Sequence, residues 1–531
     1  MRSSSKPETK MTNLSVVAKR MLSVAAVLFV TVITLSAQQP EDCTVKVTLL
    51  QLNDVYQFGP VDQGTKGGLA RVMTLKKEIQ KESPHTLFLF AGDTISPSVE
   101  SITHKGAQMI DAWNTAGLDY ATFGNHEFDL GPAVLKERMG ESKFKWLAAN
   151  VVDKTTNKTF GETENFVIRE FDGVKIGIFG LVLPETRITS RPGPDVDFLN
   201  PCEVARDMVS RIHAQGAKVV VALTHLSMRE DKELARCADV DVVIGGHEHT
   251  LLQSSAGGAP IFKMTADSRE LGRIDLNVTR ETGELESIDW KIIPVTADIK
   301  EDPQFVSVTA KYRSLLRELA TRVGRTGVRL NAESAAGRNQ ETNVGNFVTD
   351  AFRKATGAEV AIMNGGSIRA DALIGPGVLT KRDVLSILPF KNRVLKLQIT
   401  GATLRAALEH GVSRSAEDAE PGRFPQVSGI RFEFDASRPV GSRVTNVTVN
   451  GRPLDNNRKY TLATTNFLAI DSGDGYTMFK DAPLLTPIER APIDAEVLTR
   501  AITLAKVIAP RVEGRIKRLD KRKGQQANCK D

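Results

Sequence analysis

The chain has 531 residues, beyond the roughly 100–200 of an ordinary domain, so two cores are expected. Its 41% hydrophobic and 25% charged residues exclude a disordered or fibrous chain. The formal charge of +6 falls to +2 once residues 1–37, with five Lys/Arg and one Glu, are set aside, which removes the electrostatic case for a nucleic-acid binder.

In chain order, the first predicted element is an export signal over residues 1–37. Lys19 and Arg20 precede an uncharged, mainly apolar stretch from Met21 to Leu35, and the small residues Ser36 and Ala37 follow. The stretch is shorter than the ~20 residues a spanning helix needs. Cleavage after Ala37 would leave an exported protein, periplasmic or otherwise extracytoplasmic, with no stable membrane association. The bulk of Leu35 near the cleavage point leaves an uncleaved anchor as the alternative. Cys43, Cys202, Cys237 and Cys529 show no close metal-binding spacing. In an exported protein Cys202 and Cys237 could pair, or both could be buried thiols.

From residue 44 to about 297 short β-branched runs alternate with helical or loop segments, the pattern of α/β layering. The predicted strands are Thr44 to Leu52, Thr86 to Phe90, Tyr120 to Phe123, Val174 to Phe179, Lys218 to Leu223 and Val240 to Ile244. A helix is expected from Asp302 to Arg322, within a linker spanning 298–325, with Leu315, Leu316 and Leu319 at helical spacing. A second domain over 326–520 mixes helices (Val344 to Thr356, Thr403 to His410) with strands (Val394 to Ile399, Ile430 to Phe434, Tyr460 to Thr464), and a basic tail, 521–531, closes the chain.

Ligands in such sheets bind where the strands end, and there the polar residues gather. Asp54 follows the first run, Asp93 the second, Asn125 and His126 the third, His225 the fifth, and His247 and His249 the sixth. Singly, each has an ordinary reading, since Gly-Asp makes turns and Asn-Asp caps helices. Together they hold four of the chain's eight histidines, all after successive strands, and histidine nitrogens with carboxylate oxygens are what Zn²⁺ or Mn²⁺ accept.

This ordered set resembles the calcineurin-like metallophosphoesterases, whose motifs run Asp-x-His, Gly-Asp, Gly-Asn-His-Asp/Glu, His and Gly-His-x-His. The string Phe123 to Leu130 is similar to the 5'-nucleotidase branch, and the resemblance covers nearly all of the mature chain. It implies an α/β fold: a four-layer metallophosphoesterase β-sandwich flanked by helices, then a linker helix and a separate α+β substrate-binding domain. It also implies two divalent metal ions (Zn, Mn, Co or Mg), one held by Asp93, Asn125, His225 and His247 and the other by Asp54, Asp93 and His249, with Asp93 bridging. His126 would stabilise the transition state and Asp129 would orient its imidazole. Where the family has His, this chain has Tyr56. Either water or the Tyr56 oxygen fills the gap, making the second ion weaker or different, or Tyr56 only packs over the site.

Further segments resemble 5'-nucleotidase substrate motifs: Arg338 through Asn346, Asn364 to Arg369, Pro389-Phe390-x-Asn392, Gln426 to Gly429, and Gly473-Asp474-Gly475 after Asn466-Phe467. The resemblance assigns polar contacts to Arg338, Asn364 and Arg369, base stacking to Phe390 and Phe467, and ribose contact to Asp474. The stretch between Phe467 and Asp474 is one residue longer than the usual spacing, which reshapes the expected base pocket.

The implied activity is phosphate release from nucleoside 5'-monophosphates by attack of a hydroxide held by the metals, with closure about 302–325 bringing phosphate to metal. UDP-sugars, 2',3'-cyclic nucleotides and sulfur esters are alternative substrates for the same fold. A catalytically weak nucleotide-binding protein is the alternative of a different class.

Overall fold

A computed structural model of the chain describes residues 43–312, 319–415 and 421–520. The expected signal (1–37), the basic tail (521–531), Cys529, and Leu315 and Leu316 lie outside the described residues.

The β-branched runs form two six-stranded mixed sheets. In the first, strands Thr44–Leu52, Thr86–Phe90, Tyr120–Thr122 and Lys145–Leu147 are parallel neighbours, and Glu270–Thr279 and Leu285–Pro294 extend the sheet antiparallel beyond Thr44–Leu52. In the second, Val174–Val182, Val219–His225, Val242–Gly245 and Ala259–Lys263 are parallel, with Phe166–Phe171 and Leu252–Ala256 antiparallel at the edges.

Alternation along the strands explains the layering. Val47, Leu49, Leu87 and Leu89 of the first sheet share one core with Ile176, Ile178, Val219, Val221 and Ile244 of the second, so these faces pack sheet on sheet. Their neighbours Leu50, Leu52, Phe88 and Phe90, and on the other side Val220, Ala222 and Val243, belong to a core shared with helices Leu69–Glu82, Ala107–Ala116 and Pro201–Ala214. Thr86–Phe90 is buried at every residue, which is why that run reads as continuous rather than alternating.

Asp302 caps the helix Pro303–Thr309 by accepting from the Gln304 and Phe305 N–H groups, at the start the sequence indicates. The expected helical end at Arg322 is corrected. Arg322–Thr326 is a strand, antiparallel to Gly377–Thr380 and parallel to Val507–Ile508, because Val323 packs on the second core and Thr326 is buried. The second half carries a four-stranded sheet ordered Val394–Thr400, Lys459–Thr465, Val360–Asn364, Pro425–Ser428, covered by helices Asn343–Thr356 and Gly401–Gly411. The two halves have their own cores, and from Cys43 onward they pack as one compact unit.

Cys202 and Cys237 form a disulfide, Cα–Cα 6.0 Å, between the first turn of Pro201–Ala214 and the last residue of Met228–Cys237. Of the two readings open from the sequence, pairing is the one observed. No helix among the described residues is long and apolar enough to cross a membrane.

Candidate metal centre and substrate cleft

The parallel strands deliver their polar residues to one edge. Asp54 and Asp93 follow Thr44–Leu52 and Thr86–Phe90, and the Asp54 N–H donates to the Gly92 carbonyl at 2.9 Å, locking the two loops together. Asn125 and His126 sit in the turn Asn125–Phe128, His225 ends its strand, and His247 and His249 follow Val242–Gly245. Close approach requires glycine here. A Cβ on Gly124 would lie 2.1 Å from Asp93 Oδ1, and one on Gly246 would lie 2.4 Å from the Ala91 carbonyl.

Asp54, Asp93, His247 and His249 all have left-handed backbone, with φ of 53°, 70°, 91° and 58°. Such non-glycine conformations each cost of order 1–3 kcal/mol and persist where the surroundings over-determine them.

Asp54, Asp93 and His225 each bring a ligand atom within 4.8 Å of the others, all fully buried. His225 Nε2 stands 3.2 Å from Asp93 Oδ2, and His249 Nε2 stands 3.1 Å from Asp54 Oδ1. Burial opposes charge on Asp54 and Asp93, but His249 and His225 beside the first, and His225 and His126 beside the second, hold both carboxyls below the usual range. For His225 burial is outweighed by Asp93 and Asp54, which push the imidazole up to about 10. Burial, His225 and Lys263 hold His247 well below the usual range.

This donor set fits divalent cations. Asn125 Oδ1 is buried without any hydrogen-bond partner, an arrangement costly for a purely structural cluster. The His225 Nδ1 lies 2.7 Å from the Ala91 carbonyl, a contact that keeps the proton there and leaves Nε2 facing the acids.

Tyr56 is not merely packed over this cluster. Its hydroxyl oxygen lies 2.8 Å from His249 Nε2, 3.1 Å from Asp93 Oδ2 and 3.3 Å from Asp54 Oδ1, and it accepts from Arg369 Nη2 at 2.9 Å. Burial, with Asp93 beside it, pushes the phenol well above its usual range.

His126 Nδ1 lies 2.7 Å from Asp129 Oδ2, and Ser190 Oγ donates to the other Asp129 oxygen at 2.7 Å. His126 Nε2 points toward Asp93 Oδ2 at 3.9 Å. Above it the Phe390 ring of the second half stacks at 5.9 Å between centroids and 27° between planes. One cleft is lined by Asp93, Asn125, His126, Asp129, His247 and His249 from the first half and by Arg338, Asn364, Arg369, Phe390, Phe467 and Asp474 from the second. Asp54 and His225 are fully buried.

Asn364 ends its strand and donates to Asp474 Oδ2 at 2.6 Å, so these two residues are bonded to one another. Between Phe467 and Asp474 the backbone turns left-handed at Ser472 (φ 52°), and Asp474 itself is left-handed (φ 53°). A Cβ on Gly473 would strike the Phe467 ring at 2.3 Å, so that ring lies directly on the glycine backbone.

The sequence matches the calcineurin-like phosphoesterase family over residues 47–251 and the 5'-nucleotidase C-terminal domain over residues 322–481. It is 30% identical to the 5'-nucleotidase of Homo sapiens over 528 residues, covering 89% of this chain and 91% of that protein. The chain belongs to the 5'-nucleotidase family. It is also 31% identical, across 90% of its length, to the trifunctional nucleotide phosphoesterase protein YfkN of Bacillus subtilis (strain 168), of which it spans 35%. The solved 5'-nucleotidase precursor from Thermus thermophilus matches with a TM-score of 0.83 at 31% identity, covering 90% of this chain and all (100%) of that one. As a 5'-nucleotidase-family member the protein is a metallophosphoesterase-type hydrolase of nucleotides, in a family that uses divalent metals.

Several residues of this 5'-nucleotidase-family site escape sequence reasoning. Glu127, inside the Gly-Asn-His-Glu string, accepts the N–H groups of Asp93, Thr94, Ile95 and Gly124, so it ties the two ligand-bearing loops together. Glu185 receives Arg414 and Arg423 from the second half, and Arg382 reaches Glu100 in the first. Lys263 is buried behind the histidine loops, with its ammonium on Asp231 and Glu248. Only Glu127 had a local signal, its place in the motif.

Proposed function

We propose that the protein is an exported 5'-nucleotidase that releases phosphate from nucleoside 5'-monophosphates with two divalent ions, the first on Asp93, Asn125, His225 and His247 and the second on Asp54, Asp93 and His249. The observation that carries this reading is the position of the His126–Asp129 pair. It stands beside the proposed ligand cluster and beneath Phe390, and in this reading it lies between a phosphate at the ions and a base at the ring.

Bound cations supply Lewis acidity that makes water nucleophilic and offsets phosphoryl charge. The chain's residues do the rest. Asp129, fixed by Ser190, keeps the His126 proton on Nδ1 and turns Nε2 toward the reacting phosphoryl, where the imidazolium stabilises or protonates the leaving oxygen. Arg338 and Arg369 orient phosphate or ribose oxygens, Asn364 and Asp474 hold the ribose, and Phe390 and Phe467 face the base. Export is supported by the apolar segment after Lys19 and Arg20, and by the Cys202–Cys237 disulfide, which suits an oxidising compartment.

Phosphate release from AMP, UMP, UDP-glucose and a 2',3'-cyclic nucleotide is measured after EDTA treatment and with Mn²⁺, Zn²⁺, Co²⁺ or Mg²⁺ restored. Metal-dependent turnover of AMP or UMP, lost in His126→Ala, is expected. Preference for UDP-glucose or the cyclic nucleotide would move the substrate assignment. Nucleotide binding without turnover under any metal would replace the enzyme reading with a binding protein.

A further inference from the structure

Within the proposed ligand cluster one buried atom is left unexplained. His249 turns its Nε2 to Asp54 and Tyr56, at 3.1 and 2.8 Å, so Nε2 is the nitrogen available to a cation. A neutral imidazole that binds through Nε2 carries its proton on Nδ1, and a metal-bound histidine normally donates that proton to a carboxylate, carbonyl or water. His249 Nδ1 is buried and has no hydrogen-bond partner. The carboxylate facing it belongs to the other half of the molecule: Asp371 Oδ2, at 3.9 Å.

Asp371 is held for such a role. Its Oδ1 accepts the Ser334 N–H at 2.8 Å, which fixes the carboxylate and leaves Oδ2 to face the imidazole. The residue sits at φ 45°, a conformation that Asp and Asn tolerate better than most side chains. Two residues earlier Arg369 donates to the Tyr56 hydroxyl at 2.9 Å, so the segment is already seated against the cluster. A movement of about 1 Å would bring Oδ2 within hydrogen-bonding distance of Nδ1.

We infer that Asp371 is a positioning residue for the second metal ion: it accepts the Nδ1 proton of His249 from across the cleft, so that full affinity for this ion requires the substrate-binding half to be in place. The inference rests on the two-ion reading above. It makes the segment carrying Arg369 serve two ends at once. Arg369 orients substrate oxygens while Asp371 tightens the ion beneath them, and displacement of this half loosens one ion while leaving the other untouched.

The test is Mn²⁺ binding to the purified full chain, by equilibrium dialysis with electron paramagnetic resonance of the free ion, without substrate. Two variants are compared. Asp371→Asn keeps the backbone preference and lets Oδ1 hold the Ser334 N–H, but turns an NH₂ donor toward the Nδ1 proton. Asp371→Gly tolerates the positive φ and removes the acceptor. The expected result for both is one ion bound about tenfold or more weakly and the other unchanged, with an unchanged melting temperature in EDTA for Asp371→Asn, which keeps the Ser334 bond. His249→Ala should lose the same ion. Both variants binding two ions as tightly as wild type, while His249→Ala loses one, would overturn the role of Asp371 and leave the two-ion reading intact. Retention of both ions by His249→Ala would overturn the ligand assignment, and the inference with it. Equal weakening of both ions by the Asp371 variants would mark a general structural defect and also overturn it.

Discussion

Replacing Lys263 by Met tests whether the proposed ligand loops are held from behind by one buried charge. The Lys263 side chain is 1% exposed, and its ammonium lies 2.8 Å from Asp231 Oδ2 and 2.6 Å from Glu248 Oε2. It also donates to the carbonyls of Leu226 at 2.6 Å and Gly246 at 2.8 Å, each one residue from a proposed histidine ligand. Burial is the largest influence pushing Asp231 and Glu248 up, and Lys263 is the largest opposing it. Removing one partner of a buried ion pair costs about 3–5 kcal/mol, because the remaining charge must stay desolvated or take up a proton. For a half of this size that corresponds to a fall of roughly 6–20 °C in melting temperature. Without Lys263 the already raised folded-state pKa of both acids rises further, so the deficit is present at neutral pH and shrinks as pH falls and both become protonated. Melting is followed in EDTA from pH 5 to 8 for wild type, Lys263→Met, and the triple variant with Asp231→Asn and Glu248→Gln. The triple variant should recover most of the loss. A single variant that melts within about 2 °C of wild type at pH 8 would refute the reasoning.

His126→Ala should lower kcat by about 10²- to 10⁴-fold while metal content, read by elemental analysis, stays as in wild type; loss of metal would make His126 a ligand instead. Replacing Cys202 and Cys237 by Ser opens a link between residues 35 apart, worth about 3–4 kcal/mol of loop entropy, so the urea midpoint should fall to that of the reduced wild type; coincident oxidised and variant curves would refute this. Asp494, 1% exposed at the start of helix Asp494–Ala505, is pushed by burial from 3.8 up to about 7. Its folded form therefore binds the extra proton between about pH 4 and 7 and stability falls with rising pH there, so Asp494→Asn should gain up to about 4 kcal/mol at pH 8 and nothing near pH 4; a gain independent of pH would refute it.

The parallel strands were legible because they are buried on both faces. Thr44–Leu52 and Thr86–Phe90 have the bounds read from sequence, and the motif residues follow their ends as strand-end chemistry requires. The antiparallel extensions were not singled out, although Glu270–Thr279 alternates buried and half-exposed residues along most of its length. The helix begun by Asp302 was legible from its cap, whereas the strand at Arg322 was not. Five residues containing a glycine carry little periodicity, and the pairing that defines them comes from Gly377–Thr380, some fifty residues on. The cleft's assembly lay further out of reach. Tyr56 meets Arg369 across a sequence separation of 313, and nothing local to either residue specifies the other. Lys263 reads as the polar end of a strand, and only the fold turns it inward.

The left-handed backbone at Asp54, Asp93, His247 and His249 links these observations. Conformations costing of order 1–3 kcal/mol each are retained because the loops that hold them are cross-braced. Asp54 Oδ2 accepts the His247 N–H at 2.9 Å, Asp93 Oδ1 accepts the His126 N–H at 2.8 Å, and Glu127 and Lys263 tie the same loops from beneath. Each proposed bridging or ligand carboxylate thus spends one oxygen on a neighbouring loop's backbone and turns the other to the cluster. The loops are fixed relative to one another by the ligands themselves, so the strain can be relieved only by moving several of them together. A site built this way resists gradual distortion. The other half of the molecule completes it, where Arg369 donates to Tyr56 and Asp371 faces His249 across 3.9 Å.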